Sequence, residues 1–226
     1  MNFVINKYQF ELPGEWQQGD ATKIDANNIP GFSGYYTQQT ETYFLQLIAQ
    51  TVPADHIDYI PAFDTEAMIR NAHEKLGDMA GLIEVSLVKT MAGQDLLRSI
   101  IKESVDHLPI YTSKLYYRSP DGSGFIIQLV SREKGMTGTR EAMILASNLP
   151  QGLTKTTDAA TGETLTQGAP IPGWAADPYD SEFKKGFLMN KSEDAMFDQQ
   201  FPKHPLSVLR TDLKSIQNTL HESQPQ

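Results

Sequence analysis

Apolar side chains alternate with polar ones along most of residues 1–135 and adopt a period of three to four residues in three stretches. Phe3, Ile5, Tyr8, Phe10 and Leu12 follow the period of two that turns one side of a strand toward a core. Pro13-Gly14 ends that run, because proline removes a ladder donor and glycine permits a turn. Trp16 then stands where it would cap the core. Residues 31–36 (GFSGYY) and 43–50 (YFLQLIAQ) read as the next two strands, with the polar TQQTET between them. The second is apolar at Phe44, Leu45, Leu47 and Ile48, as expected of an interior strand.

The period changes at residues 64–77 (DTEAMIRNAHEKLG). Asp64 or Thr65 suits an N-cap, and Glu66 falls in the first turn, where the helix dipole favours a carboxylate. Met68, Ile69, Ala72 and Leu76 form one stripe, and Gly77 is placed to end the helix. Four strands are expected next, at 82–89, 94–104, 109–118 and 124–131. The second of these is open to a helical reading; the compact MAG turn before it and its β neighbours favour strand. The last two flank SPDGSG, whose Pro-Asp-Gly core specifies a hairpin turn. Residues 139–150 (TREAMILASNLP) read as a short helix with Thr137 or Thr139 as cap and Pro150 beyond its end.

Strands, a helix, a meander and a second helix predict an α+β fold. It has an antiparallel sheet of about six to seven strands flanked by helices, over residues 1–150. Residues 151–226 have a different texture. The stretch 151–183 is rich in Thr, Gly, Ala, Pro and Asp, lacks apolar periodicity, and reads as a long connector with a small hairpin around Ala160–Gly162. A final helix over 205–220 carries Leu206, Leu209, Leu213, Ile216 and Leu220 on one face, with Pro205 in its first turn. The tail HESQPQ is expected to be disordered.

Composition narrows the function classes. With 226 residues and 39% apolar side chains, the chain can bury a core unaided. It has no cysteine, which excludes disulfides, thiolate nucleophiles and Cys-based zinc sites and fits a cytoplasmic protein. The net charge of −9 is spread along the chain, and no stretch gathers lysine and arginine as a nucleic-acid or anionic-membrane surface would. No apolar run is long enough for a membrane-spanning helix, and the N-terminus lacks the plan of a signal peptide.

The five histidines (His56, His73, His107, His204 and His221) show no metal-ligand spacing. His73 sits off the apolar stripe of its helix, as a solvated histidine would, and His204-Pro205 reads as a helix start. No GxSxG, GxGxxG or P-loop sequence occurs. The carboxylate pairs Asp55/Asp58 and Glu193/Asp194 read as solvated loop charges. No cofactor, metal or catalytic residue is expected.

Aromatic residues are the remaining candidates. Tyr35, Tyr36, Tyr43 and Phe44 cluster on the early strands, and Tyr111, Tyr116, Tyr117 and Phe125 on the SPDGSG hairpin. Core and cross-strand packing accounts for most of them; a sheet-face groove for a peptide is the rival reading. Trp174 and Tyr179, in the proline-rich stretch PIPGWAADPYDSEF, dock either on their own domain or on a partner. Tyr36, Tyr117, Trp174 and Tyr179 are the binding candidates.

The opening YQFELPGEW, the helix near 65–76, the meander with its SPDGSG hairpin and the closing helix together resemble the Mog1/PsbP-like α/β/α sandwich, over residues 3–150. That superfamily includes Ran-binding Mog1, photosystem PsbP proteins, DcrB and the Eag-type chaperones of secreted toxins. The resemblance implies binding rather than catalysis, and no family residue transfers by motif. A non-catalytic protein-binding module is therefore expected, as chaperone or immunity-type partner of a secreted protein. The alternative is a small-molecule-binding protein or hydrolase with a site between sheet and extension, drawing on Tyr117, Asp180 or His204. A structural role within a homo-oligomer would need only an exposed face on the last helix.

Overall fold

The alternating run that opens the chain is a hairpin rather than one strand. Asn6 adopts a left-handed backbone (φ 55°), folding β1 (Asn2–Ile5) antiparallel onto β2 (Tyr8–Glu11) and setting Phe3 opposite Phe10. Phe3, Ile5, Tyr8 and Phe10 still share one buried face, because the two-residue turn sets Ile5 opposite Tyr8 and cross-strand partners point to the same side. The computed structural model describes residues 1–106, 108–148 and 173–223, with the backbone of two short strands between the last two segments. His107, Pro150 and the 160–162 turn lie outside the described residues.

The main sheet has seven strands in the order β3-β4-β5-β9-β8-β7-β6, every neighbouring pair antiparallel. They are β3 (Gln17–Gln18), β4 (Phe32–Gln39), β5 (Tyr43–Val52), β6 (Ala80–Lys89), β7 (Asp95–Val105), β8 (Leu108–Arg118) and β9 (Gly124–Glu133). The segment at 94–104 is strand throughout. The chain leaves the sheet after β5, forms α1 (Thr65–Lys75), re-enters at the far edge as β6, and returns strand by strand until β9 pairs with β5. Asp121 fixes the last hairpin by accepting from the Ser123 amide at 3.0 Å and hydroxyl at 2.6 Å, while Gly122 supplies the positive φ.

Asp64 caps α1, accepting from the Ala67 amide at 3.0 Å. Gly77 does not terminate it in the left-handed conformation: Leu76 leaves the helix in extended backbone (φ −68°, ψ 126°). The apolar stripe of α1 is only half-buried, against a small core of Val52, Ile60, Leu82, Val85, Leu97 and Tyr116 on one face of the sheet.

The opposite face carries the main core. There α3 (Pro205–Thr219) and the β1–β2 hairpin cover Leu45, Leu47, Leu96, Ile100, Leu115, Ile127 and Leu129. Leu206, Leu209, Leu213, Ile216 and Leu220 of the last helical stretch are all buried in this cluster, each contributing about 1.5–3 kcal/mol of apolar burial. Trp16 plugs its end, edge-on to Phe3 at 5.9 Å, with its indole donating to the Pro13 carbonyl. The helix after the presumed boundary at 150 thus shares a core with the strands before it. Residues 221–222 of the tail are ordered as β12 (His221–Glu222), which pairs with β2. Between the two regions, β10 (Lys155–Thr157) and β11 (Thr164–Thr166) form a two-stranded antiparallel ladder.

One member of the α3 stripe is charged. Asp212 is 1% exposed, and neither carboxylate oxygen has a hydrogen-bond partner among the described residues. Burial alone pushes its carboxyl up to about 7. The unfolded chain ionises this group near pH 4 and the folded chain near pH 7. The stability associated with it is therefore complete below the unfolded value and lost as pH rises toward 7. Asp212→Asn should match the wild type at pH 4 and exceed it by about 4 kcal/mol at pH 8, measured by urea unfolding at both pH values.

Candidate functional site: an open trough on one sheet face

The residues following 173 run as a strap around the β6 edge. Tyr179 is 41% exposed, yet its hydroxyl donates to the Val85 carbonyl (3.0 Å) and accepts from the Val85 amide (2.6 Å), sealing the outer ladder of β6. The Phe187 amide donates to the Ala80 carbonyl farther along the same edge. Gly81 allows this approach, since a Cβ there would lie 1.8 Å from the Phe187 carbonyl oxygen. On the α1 side, Phe183 stacks on His73 at 4.1 Å, and the imidazole Nε2 meets the buried Asp177 carboxylate at 2.9 Å. His73 is therefore an anchor for the strap, not a solvated side chain. Half-buried Trp174 belongs to the same strap, where its carbonyl accepts from the Lys191 amide.

Two buried cations hold the strap on the main-core side. Lys102 has no exposed surface; its ammonium donates to Glu193 at 2.7 Å and lies 4.0 Å over the Phe187 ring. Glu193 also accepts from the Tyr111 hydroxyl (3.0 Å) and the Asn190 amide (2.7 Å), so its carboxylate is fully engaged. This corrects its assignment as a solvated charge. Arg140, from α2 (Thr139–Asn148), donates to the Ser192 and Asp194 carbonyls, to Asp198 (3.0 Å) and to the Ser207 hydroxyl (2.7 Å). Arg210 joins from α3 through Asp198.

His204 sits beside this hub as the N-cap of α3, its Nδ1 accepting the Leu206 amide. Its Nε2 lies 3.5 Å from Glu133, and the pair borders a cavity of about 420 Å³ with Arg140 and Phe201. Burial, with Arg140 and Arg210 adding repulsion, holds the His204 imidazole down to about 3. It is neutral, with one nitrogen committed as an acceptor, and such a ring makes a poor general base at neutral pH. Asp180, an exposed strap residue, accepts from the Glu182 amide, and Tyr117 is buried in the main core against Tyr8 and Phe125. The arrangement does not bring Tyr117, Asp180 and His204 together as one site.

The α1 face of the sheet is different. Ile48, Ile110, Ile126 and Val130 are only half-buried there, because α1 covers the β6 side and leaves the middle of the sheet open. Between α1 and the strands runs a cavity of about 500 Å³, floored by Val85, Ile101 and Tyr116 and walled by Met68 and Ala72. Ser99, Thr112 and Lys114 add polar groups to the floor. The Lys114 ammonium has no ion-pair partner among the described residues. A second hollow of about 740 Å³ continues from it past Tyr59, over Val52, Ile126 and Gln50 to His56. Tyr59 is 57% exposed and forms the ridge between the two. The result is an open trough with an apolar floor and a polar rim.

None of the four aromatic candidates lines the trough. Tyr36 packs edge-on to Phe3 at 4.9 Å and Tyr117 lies in the core, while Trp174 and Tyr179 belong to the strap. The trough residues went unnoticed because single small or polar side chains such as Ser99, Thr112 and Lys114 carry no motif. The available signal was apolar character on both faces of two adjacent strands, at Leu96/Leu97 and Ile100/Ile101 of β7 and at Tyr116/Tyr117 of β8. No group of three or more metal-binding side chains occurs among the described residues.

No family model and no curated protein matches the chain. Among solved structures it is similar to the protein of unknown function PA94 from Pseudomonas aeruginosa. That likeness has 11% identity and a TM-score of 0.32, covering 67% of this chain and 96% of that one. It is also similar to LpqN of Mycobacterium tuberculosis, described as involved in cell envelope biogenesis. Here identity is 13% and the TM-score 0.33, covering 62% of this chain and 76% of that one. Function does not follow from likeness at this level.

The strap's anchorage is testable. Lys102→Met strands the Glu193 carboxylate in the interior and should cost about 3–5 kcal/mol at pH 7. Adding Glu193→Gln should restore most of that loss, with guanidinium unfolding as the measurement.

Proposed function

We propose that this chain is a non-catalytic protein-binding module of the Mog1/PsbP-like type. It acts in the cytoplasm as the chaperone or immunity-type partner of a secreted protein and seats an extended segment of that partner in the trough. The observation that carries the reading is the trough itself, an open apolar floor on half of a seven-stranded sheet face. Its length suits a chain of several residues, and its openness suits a polypeptide that enters from the side rather than through a mouth. Lys114, unpaired on the floor among the described residues, offers a counter-charge to a carboxylate on that segment. Addition of a strand at β6 is disfavoured, since Tyr179 and Phe187 occupy that edge.

A second reading, a small-ligand or hydrolase site between sheet and strap, is favoured only by the cavity beside His204 and Glu133. The low basicity of His204 makes it the weaker one. Peptides selected from a displayed random library against the full chain separate the two. The selected peptides should lose at least tenfold in affinity toward Thr112→Arg, which fills the trough, and keep it toward Glu133→Gln. Selected peptides indifferent to Thr112→Arg would overturn the proposal.

A further inference from the structure

Asp212 lies on the main-core side of the sheet, away from the trough. Its carboxylate borders a cleft of about 200 Å³ between α3 and the β4–β5 end, lined by Pro13, Gln38, Tyr43, Pro202 and Val208. The side chain is almost wholly out of solvent, and both oxygens lack a partner among the described residues. Buried polar atoms are satisfied in the great majority of native proteins, and an orphaned carboxylate facing a cavity calls for a ligand group that supplies the missing donors.

The surroundings define that group. Anions are excluded by the carboxylate itself. A hard metal ion needs several oxygen ligands, and one carboxylate beside a glutamine and a phenol falls short of such a set. The walls are a phenol ring, two prolines and a valine, which suit an aliphatic stem; the ring also attracts a cation. The volume admits the end of a lysine or arginine chain but no nucleotide. The net charge of −9 favours the approach of cations.

We propose that the Asp212 cleft binds an organic cation, the ammonium or guanidinium end of an alkyl chain, with Asp212 as its counter-ion. This goes beyond the trough and does not depend on it. Binding releases the proton that the empty site holds below pH 7, and the ligand itself stays charged well above that pH. Tyr43, from β5, is the titratable group facing Asp212. Burial and the nearby Asp212 charge raise its hydroxyl above the usual phenol range, so it stays neutral through the relevant interval. The other lining residues carry no charge.

The test is a heteronuclear NMR titration of the full chain with n-butylammonium and N-butylguanidinium, at pH 5.5 and 8.5, with 1-butanol as the uncharged control. Saturable shifts should centre on Asp212, Tyr43 and Gln38, with millimolar affinity at least tenfold tighter at pH 8.5. Asp212→Asn, whose spectrum should otherwise overlay the wild type, should lose at least tenfold at pH 8.5. Equal binding by Asp212→Asn, equal binding of 1-butanol, or no saturable shift at either pH would overturn the proposal. Blocked lysine and arginine amides distinguish the source. If they bind as tightly as the bare cations, the natural ligand is a polypeptide side chain; if only the bare cations bind, it is a free small amine.

Discussion

Taking the Lys102 ammonium out of water costs several kcal/mol, and the path of the chain beyond residue 173 follows from how that cost is offset. Lys102 occupies a position on β7 that alternation assigns to the main core, beside Ile100 and opposite Tyr111 in register. No carboxylate on the sheet reaches it. Glu193 does so from a distant part of the sequence, bringing the backbone of residues 190–194 with it, and Arg140 then binds the carbonyls that this backbone exposes. The strap, the start of α3 and the start of α2 are thus oriented by two cations whose donors are used almost entirely within the protein. Once α3 is so directed, its leucines close the core. An apolar contact could tolerate a shifted helix, but these hydrogen bonds fix one register.

The sheet was legible because its strands obey a simple rule. Alternation located each strand of the meander, and the Pro-Asp-Gly turn at 120–122 fixed one register outright. The first hairpin escaped although the sequence carries its mark: the apolar spacing lengthens from two to three between Ile5 and Tyr8, across Asn6-Lys7, where Asn6 takes the left-handed backbone. The role of the strap was illegible for a different reason. Gly, Pro and Asp mark it as irregular without saying where it lies, and its contacts join residues about 90 positions apart, such as Val85 with Tyr179. The charges at Lys102, Arg140, Glu193 and Asp212 each sit in a local context typical of a solvated residue or a small part of an apolar stripe. Burial of a charge depends on a partner far along the chain, and a local pattern cannot supply that information.

The two faces of the sheet divide the protein's chemistry. On the α1 side the sheet is incompletely covered, its cavities are open, and its one unpaired floor cation among the described residues is Lys114. On the α3 side the core is closed, and among the described residues both oxygens of Asp212 lack a hydrogen-bond partner, as do the Ser113 and Ser131 hydroxyls and the Arg210 Nε.

The pairing of β5 with β9 has a consequence for how this protein acquires its structure. The four strands of the meander are joined by short turns and can zip up from local contacts. The strands before α1 can meet them only when Tyr43 finds Glu133 and Val52 finds Gly124, across the whole of α1 and the meander. Closing that loop loses chain entropy before any ladder bond compensates it. Docking of the early strands is therefore the step that topology expects to be slow, in the millisecond-to-second range of sheet proteins with distant pairings. Until it happens, the inner edge of β9 is an unpaired, largely apolar template, and the nascent chain is at its most vulnerable to association with its own kind.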